Sequence, residues 1–459
     1  MKNDAVVVGL DIGTTKVRAV AGRLTENEEL EIMGVGEAKS DGVIRGSIQN
    51  TGSTTQAINK AIKQAGDQAK INVLGVIVNV SGANVQIRSL PQVKTITRDI
   101  VTVNDVDEII RDVRKTAGSL GRSIVHVLPQ EYSLGDVSTP IFDPVDWDGT
   151  KLEGTFRIVS TSDNDLQKIQ LCLQRCQPHP LDSEELVLSP LAASMAVLSN
   201  EDRRRGVALV DIGGNSTEVV VYSGNIIRHI ALIPWGGNLL TKDIEKGCRV
   251  LEEQAENLKV KFGKALQKDV PLNESVAVQV KVGRPPEDIL LKNIAIILEQ
   301  RLLELAALVA NEIKKSGYEG RLFNGIVLTG GTAKLPLIEK LFEEVLDEYV
   351  WIGKPTHRVS GESVGKVQSP EYATAVGLVW RGFEEIDSRE EKYKELRGVK
   401  IEIVQKELPK KTPTTNTPVA PTPPPPPAPE EEKKNIIQKL LSWGKDILTD
   451  DRVGDSDKY

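Results

Sequence analysis

Cysteine is scarce in this chain: its 459 residues include three, Cys172, Cys176 and Cys248. That excludes a disulfide scaffold and predicts a reducing compartment. Cys172 and Cys176 stand four apart, as helix neighbours do, but no second ligand pair accompanies them. Two buried thiols are therefore expected rather than a zinc site. Excess positive charge is also lacking. Lys and Arg number 58 against 65 Asp and Glu, a net charge of −7. Proteins that bind nucleic acid by neutralising phosphates are ordinarily basic, so no nucleic-acid partner is expected. No run approaches the ~20 apolar residues of a membrane span. The N-terminus has neither the basic start nor the small-residue cleavage site of a signal peptide, which predicts a cytosolic chain. The histidines, His126, His179, His229 and His357, form no spaced cluster and carry no assigned chemistry.

The length allows about two to four domains, and the composition that remains, 39% hydrophobic and 27% charged, is an ordinary soluble profile. It is steady as far as about residue 385. A charge-rich stretch and then a proline-rich one follow, so residues 386–434 are read as a linker. Proline removes backbone donors and fixes φ, which leaves a semi-rigid tether reaching up to about 90 Å. Residues 435–448 (NIIQKLLSWGKDIL) then segregate completely on a helical wheel. Ile436, Ile437, Leu440, Leu441, Trp443, Ile447 and Leu448 share one face with Gly444. Asn435, Gln438, Lys439, Ser442, Lys445 and Asp446 fill the other. As a helix the segment measures ~21 Å, too short to cross a bilayer. Apolar residues opposite lysines, with a tryptophan near the boundary, predict a helix lying in a membrane surface.

The body contains a diverged repeat. Residues 5–21 (AVVVGLDIGTTKVRAVA) and 206–222 (GVALVDIGGNSTEVVVY) each read as an apolar strand, Asp-Ile-Gly, a turn of small residues and a second strand. Two copies imply two similar domains facing one another. Glycine lets backbone N–H groups approach a phosphate, and hydroxyl donors and a lysine reinforce them. The phosphate-side candidates are Gly13, Thr14, Thr15 and Lys16 in the first copy, and Gly213, Gly214, Asn215 and Ser216 in the second. Asp11 and Asp211, at the entries to the turns, suit Mg²⁺ held mostly through its waters. A third glycine element, Gly330, Gly331 and Thr332, follows an apolar strand and offers backbone to a base or ribose. Glu256 and Lys259 share a helix face and are placed to meet that nucleoside from the other side.

In this order, Asp-Ile-Gly-Thr-Thr, Asp-Ile-Gly-Gly, Ala-Glu-x-x-Lys and Thr-Gly-Gly resemble the superfamily of actin, the heat-shock chaperones and the sugar kinases. Closer stretches are similar to the FtsA family of actin-like bacterial cell-division proteins. They are residues 9–17 (GLDIGTTKV), 78–82 (VNVSG), 127–132 (VLPQEY), 234–239 (PWGGNL), 282–286 (VGRPP), 327–331 (VLTGG) and 370–378 (PEYATAVGL), together with the tail.

The resemblance implies an actin-like, ribonuclease H-like fold of duplicated domains around a nucleotide cleft that holds ATP and Mg²⁺. Subdomain 1A would comprise residues 1–81 and 165–202, and 1C, an insertion peculiar to FtsA, residues 82–164. Subdomain 2A would comprise 206–233 and 325–385, and 2B residues 234–324. Residues 188–197 and 370–378 would connect the halves as a hinge. The resemblance further implies actin-like self-association and tethering of FtsZ, through its C-terminal peptide, to the cytoplasmic side of the inner membrane at the division site. Other division proteins would be recruited there. Arg301 is the candidate FtsZ contact, since a guanidinium suits an acidic peptide.

Four positions depart from relatives. Asn215 replaces a usual glycine, Glu218 a common aspartate and Leu337 a frequent glycine. Ser189 stands before Pro190 where other members of the superfamily carry an acid or a glutamine near the attacking water. A hydroxyl is a poor base near neutral pH, so at most slow ATP hydrolysis is expected. Two alternatives stay open: a carbohydrate kinase of the same superfamily, and an actin-type membrane adaptor of the PilM kind. A chaperone is excluded, because no substrate domain follows residue 385.

Overall fold

The computed structural model describes residues 5–135, 137–280 and 285–398. The proline-rich stretch and the amphipathic segment 435–448 lie outside the described residues.

The repeat is visible as topology. Val6–Ile12 pairs antiparallel with Lys16–Leu24, which pairs antiparallel with Leu30–Lys39. On its other side Val6–Ile12 runs parallel to Gly75–Val80, and that strand parallel to Asp182–Leu188. The second half repeats this order. Val207–Ile212, Thr217–Ser223 and Ile226–Ile233 form the antiparallel meander. Ile326–Thr329 and Val350–Ile352 extend it in parallel. Away from the turns the central strands are apolar, as strands covered on both faces must be: Leu10, Val20, Leu209, Val219 and Leu328 are fully buried. A short sixth strand, Val359–Ser360, returns from the second half to the edge of the first sheet beside Leu30.

Between Gly75–Val80 and Asp182–Leu188 the chain inserts a separate four-stranded antiparallel sheet, in the order Gln86–Thr95, Lys151–Ser162, Arg122–Leu134 and Val137–Ile141. The helix Val103–Thr116 covers it. Thr102 and Asp105 form a reciprocal capping box at that helix's start. The insertion has its own core around Ile109, Val113, Leu152 and Phe156. Phe156 meets Tyr132 edge to face at 5.9 Å. The insertion is also tied to both halves of the body. His126 Nε2 accepts the Leu188 backbone N–H at 3.0 Å. Glu131 pairs with Arg228 on Ile226–Ile233, whose guanidinium lies 5.4 Å from the Phe142 ring.

The second half also carries helices Gly237–Cys248, Glu252–Phe262 and Leu291–Ser316. Among the described residues no helix is long and apolar enough to cross a membrane. Cys172 and Cys176 are buried on Asp163–Gln174 and just after it; their thiols donate to the carbonyls of Thr51 and Cys172. Burial pushes Cys176 up to about 11, as suits inert thiols.

The two halves are joined through Ser189–Val197 and the helix Ala373–Gly398. Both use small residues to pack backbone against backbone. A Cβ on Gly377 would stand 1.7 Å from the Ala192 carbonyl oxygen. Ala373–Gly398 also runs beyond residue 385, where the composition had placed the start of the linker. The Glu, Arg and Lys residues there are strong helix formers, so the charge-rich stretch extends the helix.

Gly377→Ala therefore overpacks the hinge and is expected to lower unfolding stability by about 1–3 kcal/mol. Chemical denaturation of the two proteins measures this, and equal midpoints would contradict the close approach.

Candidate functional site

The two Asp-Ile-Gly turns and the third glycine element open onto one cleft of about 1330 Å³ between the halves. Each lies at the end of a buried strand, and pairing of the strands at Asp11 and Arg18, and at Asp211 and Glu218, aims the turns inward. The turns abut. A Cβ on Gly214 would stand 2.8 Å from the Thr15 methyl group. A Cβ on Gly330, whose φ is +87°, would stand 2.2 Å from Asp211 Oδ1. Larger residues would fill the cradle at both positions.

Of the residues expected to face phosphates, Gly13, Thr14, Thr15, Lys16, Gly213, Gly214 and Ser216 line the cleft. Asn215 turns instead to Asn238, whose Nδ2 donates to its Oδ1 at 2.9 Å. Glu256, Lys259, Gly330, Gly331 and Thr332 line the same cleft. Thr332 donates its hydroxyl to the Gly213 carbonyl at 3.1 Å, and Lys259 Nζ donates to Glu256 at 2.6 Å and to the Gly237 carbonyl at 3.1 Å. The third element is thus bound to the second turn, and the helix Glu252–Phe262 to the start of Gly237–Cys248. Leu337 adopts φ +71° at the start of Ile338–Leu346, a conformation that glycine takes at no steric cost.

The cleft floor is acidic. Asp11 accepts from Asn79 Nδ2 at 2.9 Å, and the Asn79 Oδ1 accepts the Ile12 N–H at 2.7 Å. Asn79 Nδ2 also donates to Ser189 Oγ at 3.0 Å, and that hydroxyl lies 3.3 Å from the Val80 carbonyl it donates to. Asp211 accepts the Thr374 hydroxyl at 3.3 Å. Burial drives Asp11 up to about 7, opposed by Arg18 and assisted by the charge of Asp211. Burial likewise raises Asp211 to about 6, opposed by Thr374 and Arg18. Glu218, raised to about 8 by burial and by both aspartates, bonds to Ser81 across the floor.

Sequence reasoning missed the counter-ions. Arg18 is buried in the cleft, bonded to Glu37 at 3.0 Å and to Glu371 at 2.7 Å, with Asp11 at 4.0 Å. Lys334 also pairs with Glu371, at 2.7 Å, so that carboxylate joins the first turn's strand to the third glycine element. Arg18 lies two residues beyond Lys16, on the same strand face, and that spacing was the available signal. Asn79 and Glu371 carry no local signal, because only the fold brings them to the turns.

Arg301 stands outside the cleft on Leu291–Ser316. Asp243 takes its Nε at 2.6 Å and its Nη2 at 3.2 Å, Glu304 takes Nη1 at 2.6 Å, and the guanidinium lies 5.0 Å from the Trp235 ring. Among the described residues no group of three or more His, Cys, Asp or Glu side chains could hold a metal ion.

The family model for the cell division protein FtsA matches residues 208–377, and that for the SHS2 domain inserted in FtsA matches residues 82–160. The cell division protein FtsA of Pseudomonas aeruginosa is 32% identical over 384 residues, 84% of this chain and 91% of that protein. That of Escherichia coli K12 is 32% identical over 386 residues, 83% of this chain and 90% of that protein. A solved chain of a PilM–PilN type IV pilus biogenesis complex superposes with a TM-score of 0.60 at 16% identity. The superposition covers 82% of this chain and 98% of that one, and it supports the actin-like fold alone.

Raised carboxyls bind more protons in the folded state than in the unfolded one, so their contribution to stability is lost as pH rises. With Asp11, Asp211 and Glu218 at about 7, 6 and 8, the nucleotide-free protein is expected to melt at lower temperature at pH 8 than at pH 5.5. Asp11→Asn should flatten that slope. A melting temperature that rises across this range would contradict the electrostatics of the floor.

Proposed function

The chain belongs to the FtsA family of actin-like cell-division proteins, and on that premise we propose that it binds Mg·ATP in the cleft and tethers FtsZ to the cytoplasmic face of the inner membrane. The observation that carries the nucleotide reading is the convergence of three glycine-rich elements, distant in sequence, on one cleft. A side chain at Gly214 or Gly330 would collide with the facing turn. Gly13, Thr14, Thr15, Lys16, Gly213, Gly214 and Ser216 hold the phosphates. Glu256, Lys259, Gly330, Gly331 and Thr332 hold the adenosine.

Two aspartates buried in one cleft, with the charge of Asp211 raising Asp11, fit a divalent cation that would relieve that repulsion. Asp11 and Asp211 would hold Mg²⁺ through its waters, and the ion would neutralise phosphate charge. Ser189 is engaged by Asn79 and Val80, and a hydroxyl supplies no base near neutral pH. Turnover is therefore slow, and ATP acts mainly as a switch on the hinge between the 1A–1C and 2A–2B halves.

The FtsZ C-terminal peptide docks on 2B at Arg301. Glu304, with a side chain 58% exposed, is the weaker holder of that guanidinium, against 24% for Asp243. A peptide carboxylate exchanges with Glu304 while Asp243 and Trp235 keep the fork in place. Residues 435–448 bind the membrane reversibly, and self-association into actin-like polymers multiplies these weak contacts into stable attachment. Other division proteins join the complex from there.

The test is co-sedimentation with liposomes in the presence of ATP, with and without FtsZ. The full-length protein is expected to carry FtsZ into the pellet, and a version ending at Glu432 is not. Trp443→Glu should release the protein from lipid and leave ATP affinity unchanged. Retention of either variant on liposomes would count against the tail as anchor.

A further inference from the structure

Glu256 and Lys259 line the cleft from the helix Glu252–Phe262, and Asp11, Asn79, Ser189, Asp211 and Glu218 line its floor. A nucleotide with its base against that helix and its phosphates between the turns would bring its terminal phosphorus toward the floor. On that floor the two aspartates are each bonded to a neutral donor and read as holders of cation-bound water. The Ser189 hydroxyl is engaged on both sides. Glu218 is different. It leaves the second turn directly opposite Asp211, is 3% exposed, and reaches from the second half to the first. There its carboxyl accepts the Ser81 hydroxyl and the Gly82 backbone N–H. A carboxylate has about four acceptor positions, so these two bonds orient it and leave capacity for a water.

We propose that Glu218 is the catalytic residue that accepts the proton of the water attacking the terminal phosphate of bound ATP. This rests on the nucleotide reading above. The water oxygen bonds to the γ-phosphorus as the bond from that phosphorus to the β–γ bridging oxygen breaks. The electron pair leaves on ADP, and the water's proton passes to a Glu218 carboxylate oxygen. Ser81 and Gly82 are the positioning residues. Both sit where the chain leaves the first sheet for the inserted domain, so the geometry of the reacting carboxyl depends on how the two halves are closed.

Glu218→Gln separates this role from a purely structural clasp, because the amide oxygen still accepts from Ser81 and Gly82. The full-length protein and the variant are compared for Mg·ATP affinity by calorimetry, for phosphate release, and for the nucleotide that remains bound after incubation. The variant is expected to bind ATP within about twofold of the parent, release phosphate about a hundredfold more slowly, and retain ATP where the parent retains ADP. Glu218→Asp, which keeps the carboxyl, should recover part of the rate. Phosphate release by Glu218→Gln at the parental rate would overturn the proposal. So would a loss of rate matched by an equal loss of ATP affinity, which would mark a clasp. A parent that binds ATP and releases no phosphate above background overturns the role of Glu218 and leaves the nucleotide site standing. A parent that binds no ATP overturns both.

Discussion

Asp11, Asp211 and Glu218 are three carboxyl groups buried together at the junction of two apolar sheets, and the rest of the cleft is organised around holding them there. Lost hydration pushes all three up in pKa, and neighbouring carboxylate charge adds to it for Asp11 and Glu218. The opposing interactions come from several parts of the chain. Arg18 comes from the strand after the first turn, Asn79 from the neighbouring parallel strand, Thr374 from the hinge helix and Ser81 from the root of the inserted domain. Each of these elements is positioned by burial of its own apolar face. The polar floor therefore exists only when both halves and the hinge are folded together.

The junction between the halves answers a different constraint, close approach of two backbones. Ser189–Val197 and Ala373–Gly398 achieve this with alanine and glycine, and the fit of Gly377 against Ala192 leaves no space for a methyl group. Charge crosses the same junction. Glu371, at the entrance to the last helix, is shared by Arg18 of the first half and Lys334 of the second.

The inserted domain is more than an appendage of the first half. His126 accepts from the backbone of Leu188, immediately before Ser189, and burial pushes that imidazole down to about 4, so it stays a neutral acceptor at physiological pH. Arg228 fastens the same domain to the second half, held by Glu131 and lying between the rings of Phe142 and Tyr318. A ligand that moves the inserted domain would act on both halves of the cleft.

Much of this was legible from local pattern. An apolar strand, Asp-Ile-Gly and a turn of small residues, occurring twice, determined a duplicated α/β fold, because glycine and β-branched residues have strong local consequences. The family was legible for the same reason, and so was the inertness of Cys172 and Cys176. The amphipathic character of residues 435–448 is likewise a property of sequence alone. Tertiary structure decided which charges meet. Arg18 and Glu371 are 353 positions apart, and Ser81 and Glu218 are 137 apart, so no spacing rule links them. It also decided that Asn215 turns away to Asn238, that Arg301 is already held by Asp243 and Glu304, and that a charge-rich stretch extends a helix instead of beginning a linker. The physical reason is common to these cases. Backbone preference and hydrophobic periodicity act over a few residues, whereas electrostatic partners are chosen by proximity, and proximity is set only when the sheets close on one another.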